Sequence, residues 1–203
     1  MNGGTGTGMG TARGRERRQR LLDATAELVA VRGFHSVGIA EIGAAAGVTG
    51  SAIYRHFENK HELLVALFDQ VLDELIDRAR TAVGDADNVD DALADLVRAQ
   101  VAFALRNRAV IVVYGQEEIN LPVEDRRRLR RKQRAYVQVW ADTVSKLRPE
   151  LTGAEVVAAV SGAIGLLNSV STFDVPMSDA DLGAFVTDMA LGALRAGAAR
   201  VTA

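Results

Sequence analysis

Apolar residues recur every three or four positions along nearly the whole chain and rarely alternate strictly with polar ones. That spacing buries one face of a helix and argues against strands. Gly, Pro and clusters of Asp, Asn and Ser interrupt the pattern and divide the chain into nine expected helices. The first spans about 15–32, with Leu21, Leu22, Ala24, Leu28, Val29 and Val31 inward; Gly33 stops it and Phe34 returns to the core. The second begins near Gly38 and shares a face through Ile39, Ile42 and Ala46. The third, 50–57, has Ile53 and Phe57 as its inward stripe, and the fourth, from Lys60 to about Gly84, carries leucines at helical spacing. Five more follow, at about 89–105, 108–118, 123–147, 152–169 and 179–198. The Ile111-Val112-Val113-Tyr114 run could be read as a strand, but it has helices on both sides and no partner strand. On the last helix Leu182, Phe185, Val186, Met189 and Leu194 form the expected apolar side, and no residue from Ala154 to Gly165 on the eighth is larger than Val or Ile. The fold class is all-α.

Residues 39–60 are organised more tightly than the rest. Gly47 can take the left-handed conformation that ends a helix, Val48 then turns inward, and Thr49 can cap the next helix through its hydroxyl. Two short helices joined by such a turn make a helix-turn-helix, whose second helix can enter a major groove. Gly50, Ser51, Ala52, Arg55 and His56 lie around its remaining surface, and Arg55 is the best candidate to read guanine or phosphate in bidentate fashion.

The run from Leu21 to Leu64 resembles the DNA-binding domain of the tetracycline-repressor family. LLDATAELVAVRGF, then IAEIGAAAGVTGSAIYRHF, then Lys60 and Glu62-Leu63-Leu64 agree with it in order and spacing. The resemblance implies a three-helix DNA-binding head over 15–60 on a helical ligand-binding and dimerisation body over 61–203, preceded by a disordered tail over 1–14. It implies that Tyr54 and Lys60 contact phosphate and that the last two helices pair with those of a second copy. Gly38 and Val37 depart from the hydroxylated residues usual there, and Gly50 from a frequent cation, which weakens individual phosphate contacts and leaves the fold signal intact.

Charge supports the same division. The net formal charge is −2, yet residues 1–60 carry eight Lys or Arg against five Asp or Glu, and the remainder carries sixteen against twenty-one. Arg13, Arg15, Arg17, Arg18 and Arg20 form a basic lead-in, read as a contact with phosphates or the minor groove, or as a solvated tail. With no cysteine, disulfides and thiolate metal sites are excluded. No long uncharged apolar run able to span a bilayer is expected, nor any secretory signal, so a cytoplasmic setting is natural.

The expected function is a sequence-specific DNA-binding transcriptional regulator, a homodimer on a palindromic double-stranded operator. Similar proteins are mostly repressors released by a small, largely apolar effector, some by acyl-CoA thioesters. The expected ligand-binding residues are Phe68, Val71, Val97, Val101, Phe103, Ile111, Tyr114, Trp140 and Asn168, and for each of them ordinary core packing is the alternative. The basic run over 126–134, with seven Arg or Lys, reads as a second nucleic-acid patch, as a solvated face of local ion pairs, or as a seat for an anionic effector group. No metal, cofactor or catalytic group is expected. A ligand-independent DNA binder and a helical-bundle enzyme are the competing classes.

Overall fold

Two glycines, Gly33 at φ 75° and Gly47 at φ 67°, carry the left-handed backbone that ends the first two helices. The computed structural model describes residues 12–49 and 53–196. Gly50, Ser51, Ala52, residues 1–11 of the tail expected over 1–14, and the end of the last expected helix lie outside the described residues. The helices are α1 (Ala12–Arg32), α2 (Ile39–Ala45), α3 (Lys60–Asp85), α4 (Val89–Arg106), α5 (Arg108–Glu117), α6 (Val123–Leu147), α7 (Gly153–Asn168) and α8 (Asp179–Arg195). Short 3-10 turns follow α5 and α7, and the described residues contain no strand. Because α1 starts at Ala12, residues 12–14 are helical, although they were expected in the tail. The chain divides into two compact units, one up to Leu67 and one from Phe68 onward, so α3 contributes to both.

In the first unit Leu21, Leu22, Ala24 and Val29 of α1 meet Ile42 and Ala46 of α2, with Phe34, Val37, Ile53, Phe57, Leu63 and Leu64 completing the core. Val31, expected inward, is 85% exposed; it projects from the last turn of α1. Gly38 brings no hydroxyl to the start of α2, and Glu41 makes up for it. One Glu41 oxygen accepts the Gly38 N–H at 2.7 Å and the other takes Arg32 at 2.6 Å. This is half of a capping box, the half that needs only the acidic partner. The Gly38 amide and the Arg32 guanidinium hold the Glu41 carboxyl below the ordinary value of 4.5.

The turn after α2 is closed by the Val48 N–H on the Gly43 carbonyl at 2.8 Å. Gly43 is also where the chain after the turn comes nearest to α2. A Cβ there would stand 2.6 Å from Ile53 Cδ1 and 3.1 Å from the Val48 carbonyl oxygen. A side chain at this position would therefore force the end of Ile53, which is fully buried, to shift.

In the second unit α4 is central and packs against α6, α7 and α8. It buries residues around most of its circumference, Ala92, Leu93, Leu96, Val97, Val101 and Ala104 among them. Asn88 caps it, accepting the Asp90 and Asp91 amides at 3.0 Å. Thr152 and Glu155 form a full capping box on α7, and Ser178 caps α8. The buried stripe of α8 steps by four through Leu182, Val186, Ala190 and Leu194. Phe185 and Met189, expected on the inward side, flank that stripe and are 56% and 46% exposed. Gly183 lets α8 lie close on α4, where a Cβ would meet Leu105 and Val101 at 3.1 and 3.2 Å. Arg148 holds the end of α8, donating to the Leu194 and Ala196 carbonyls.

By length and composition alone the stretch Gly153–Ser171 is long and apolar enough to cross a membrane, although it is not an uncharged run. Its 19 residues have a mean hydropathy of 1.5, yet only 28% of the stretch is buried within this chain. Glu155 is its sole charge. Alanine and glycine, interspersed through it, escape notice as an apolar run although they add little polarity. Val156, Val160, Ala163 and Leu167 face the core, and Ala154, Val157, Ala158 and Gly162 face outward.

Replacing Gly43 by Ala should lower the thermal midpoint of the DNA-binding unit, by the ~1–3 kcal/mol typical of forced overpacking. Thermal unfolding followed by circular dichroism checks this, and an unchanged midpoint would show that Ile53 yields freely. In the same assay Glu41→Gln should lose stability near neutral pH. The Glu41 carboxyl sits below its unfolded value, so its contribution is present above about pH 4.5 and fades as pH falls through the folded value. The gap between wild type and variant should therefore close on acidification; a gap constant down to pH 3 would contradict the assignment.

Candidate nucleic-acid interface and candidate ligand cavity

Residues 53–57 form a helical turn in which the His56 and Phe57 amides donate to the Ile53 carbonyl at 2.8 and 2.9 Å. Ile53 and Phe57 point into the core, which turns Tyr54 and Arg55 outward; Tyr54 is 58% exposed. His56 is half-buried, with its ring 6.5 Å from that of Phe57. The Arg18 guanidinium lies over the Phe57 ring at 5.4 Å, which ties exposed α1 to the same turn, and Arg17 is half-buried beside it in sequence. Arg18, Tyr54 and Arg55 are thus exposed side chains of the first unit, two of them cationic and one a phenol.

Lys60 has partners that the sequence does not announce. Its ammonium donates to the Phe34 carbonyl at 2.5 Å and the Val37 carbonyl at 2.9 Å, and sits 4.2 Å from the centre of the Phe34 ring. These carbonyls belong to the loop between α1 and α2. Lys60 therefore braces that loop from the first residue of α3.

The second unit holds a cavity of about 390 Å³, within the size class of small-molecule sites. Its walls come from α3 (Phe68, Val71, Leu72, Leu75), α4 (Gln100, Phe103), α5 (Val110, Ile111, Tyr114), α6 (Gln133, Tyr136, Val137) and α7 (Ser161, Ile164, Gly165, Asn168). Phe68, Val71, Phe103, Ile111, Tyr114 and Asn168 are brought together there. Val97, Val101 and Trp140 are not: all three are buried and none lines the cavity. They lie on the core-facing sides of α4 and α6. Gln100, Gln133 and Tyr136 were missed, because a polar residue inside an apolar stripe reads as a break in the pattern.

Three of the polar lining groups are linked. The Tyr136 hydroxyl donates to Gln100 Oε1 at 2.5 Å, and Gln100 Nε2 donates to Asn168 Oδ1 at 2.6 Å. Burial pushes the Tyr136 hydroxyl well above the ordinary phenol range. Tyr114 packs edge-on against Phe68, with ring centres 4.8 Å apart. Its hydroxyl oxygen is buried and has no hydrogen-bond partner among the described residues. Burial, with the nearby Glu118 carboxylate, pushes it up to about 12, against smaller lowering effects of Arg130 and Gln133. Gln133 stands close without reaching hydrogen-bonding geometry.

The basic run on α6 is largely neutralised within the chain. Arg127 pairs with Glu124, Arg128 with Asp69 and Asp125, Arg130 with Glu118, and Lys132 with both Asp69 and Asp73 at 2.8 and 2.7 Å. Arg126 donates to the Ile119 carbonyl. This geometry favours the reading as a face of local ion pairs. Among the described residues no group of three or more His, Cys, Asp or Glu is placed to hold a metal ion.

The first unit thus carries the helix-turn-helix, and the second is a helical bundle with its own cavity. Residues 21–67 match bacterial regulatory proteins of the tetR family, and residues 86–194 match the tetracycline repressor-like C-terminal domain. The second match alone spans more than half of the chain, and the chain belongs to the TetR family of transcriptional regulators. The fatty acid metabolism regulator protein of Bacillus subtilis (strain 168) is 22% identical over 125 residues, 62% of this chain and 64% of that protein. Across three curated relatives the matched part spans between 31% and 64% of the relative's length. AibR, solved with isovaleryl coenzyme A and operator DNA, shares the fold with a TM-score of 0.72 at 20% identity, over 87% of this chain and 96% of that one. FadR from Bacillus subtilis, solved with stearoyl-CoA, does so with a TM-score of 0.70 at 18% identity, over 86% and 98%.

Lys60→Met keeps the aliphatic stem and removes both carbonyl contacts. It should destabilise the protein by ~1–3 kcal/mol, the range for leaving buried or half-buried acceptors unpaired. Chemical denaturation checks this. Stability equal to wild type would mean that water satisfies the Phe34 and Val37 carbonyls equally well.

Proposed function

We propose that the chain is a homodimeric transcriptional repressor that leaves a palindromic operator when a small, largely apolar effector occupies the cavity of the second unit. The observation that carries this reading is the presence in one chain of an outward-facing recognition turn and an uncharged cavity of effector size. The relatives support it. AibR was solved with both a coenzyme A thioester and its operator, and FadR with a long-chain thioester.

In this reading Arg55 reads a base edge or a phosphate, and Tyr54 gives its hydroxyl to phosphate. Arg17 and Arg18 approach the backbone from α1, and His56 and Lys60 stand at the flank, with Lys60 acting chiefly through the loop it braces. The DNA-binding part is the head expected over 15–60, and the remainder binds ligand and dimerises. Two copies meet through α7 and α8. The small outward residues Ala154, Ala158 and Gly162 permit close helix approach, and Phe185 and Met189 supply apolar surface. A ligand that favours a spacing of the two heads unlike that of the operator half-sites lowers DNA affinity by linkage. Such a protein works in the cytoplasm and needs no catalytic group or cofactor.

Gel shift with the intergenic DNA flanking its own gene, titrated with acyl thioesters and related apolar metabolites, tests the proposal. The expected result is a preference for that DNA over random duplex at moderate salt, lost on adding one of the metabolites. Equal affinity for both duplexes, or a specific complex indifferent to every ligand that enters the cavity, would contradict it. Arg55→Ala should cost about 1–3 kcal/mol of discrimination at one position if it reads a base. A uniform loss on all sequences would place it on the backbone.

A further inference from the structure

The cavity walls contain no Asp, Glu, Lys, Arg or His. Besides Gln133 and Ser161 they offer Tyr114 and a hydrogen-bonded set of three, in which the Gln100 and Asn168 side-chain oxygens are already occupied. The chain from Tyr136 through Gln100 to Asn168 runs in one direction, occupying Gln100 Oε1 and Asn168 Oδ1 in turn. It ends in the Asn168 amide N–H groups, which are donors. Tyr114 adds a second donor, a buried hydroxyl without a partner among the described residues. Burying a hydroxyl without a partner is costly, so such a group in a cavity wall signals a partner that arrives with the ligand.

We propose that the cavity selects an uncharged ligand carrying a carbonyl-type acceptor, an ester, thioester or ketone, that takes the Tyr114 hydroxyl and the Asn168 amide, and that it rejects the corresponding free carboxylate. This rests on the reading of the cavity as the effector site. A carboxylate in these walls would lose its hydration with no counter-charge to meet it. The cation whose charge acts on Tyr114, Arg130, is already matched at 2.6 Å by Glu118, whose own negative charge acts there too. A carbonyl oxygen keeps what the site offers, two donors in an apolar surround, and brings no charge to desolvate. Tyr114 remains protonated at neutral pH, so it stays a donor throughout the physiological range.

The protein carries its own reporter. Trp140, the single tryptophan of the chain, is fully buried and edge-on to cavity-lining Tyr136, with ring centres 6.2 Å apart. Trp140 fluorescence, with calorimetry in parallel, should follow titration of the full chain with methyl octanoate and with octanoate at pH 7.5. The ester should bind at least about tenfold more tightly than the anion, and Tyr114→Phe, which keeps the ring, should weaken ester binding by about tenfold. The thermal midpoint of the variant, measured alongside, should not fall. Octanoate binding as tightly as the ester, ester binding unaffected by Tyr114→Phe, or no binding of either probe would each overturn the proposal. Because these titrations contain no DNA, they separate selectivity from regulation. An ester bound with this preference that leaves the operator complex intact supports the selectivity and removes the effector role. A carboxylate that binds tightly and releases DNA overturns the selectivity and keeps that role.

Discussion

The DNA-facing unit depends on a missing side chain. At Gly43 the backbone of α2 lies so close to Ile53 that even a methyl group would collide with it. That approach seats Ile53 and, one turn later, Phe57 in the core, and their burial decides which way Tyr54 and Arg55 point. Gly47 then supplies the left-handed turn, and the Val48 amide locks it onto the Gly43 carbonyl. Lys60 and Glu41 do the remaining work from either side, one holding the loop before α2 and the other starting the helix. Side chains placed by buried neighbours are better oriented than side chains placed by loops, which is what the proposed base readout by Arg55 would need.

The second unit solves a different problem, how to keep a hole in a helical core. Two buried hydrogen bonds, Tyr136 to Gln100 and Gln100 to Asn168, join α6, α4 and α7. Bonds of this kind fix relative positions without filling volume, so the walls stay put while the space between them is left for a ligand. The ion pairs of Lys132 with Asp69 and Asp73 tie α3 to α6 beside the same cavity. Lys132 and Asp69 are half-buried in these pairs. The pairs matter as markers of which helices must shift together.

The helices and the turn were legible in the sequence because hydrophobic period and glycine placement are local signals. The inward stripe of 53–57 follows from that kind of reading. Gly43 was not legible, since glycine inside a run of alanines looks like one more small residue until the partner that crosses it is known. The same holds for Lys60, whose carbonyl partners are more than twenty residues away. On α8, periodicity placed Phe185 and Met189 inward because apolar character does not reveal which side of a stripe meets another helix of the same chain. In the cavity wall, Phe68, Val71, Phe103, Ile111, Tyr114 and Asn168 coincide with expected positions, whereas the polar Gln100, Gln133, Tyr136 and Ser161 were passed over.

Footprinting of the purified protein on the DNA flanking its own gene tests the central claim most directly. Two symmetric recognition turns predict two protected half-sites on one face of the duplex, with centres about one helical turn, or a multiple of it, apart. Protection that spreads evenly with protein concentration and ignores sequence, or a single isolated half-site, would contradict it.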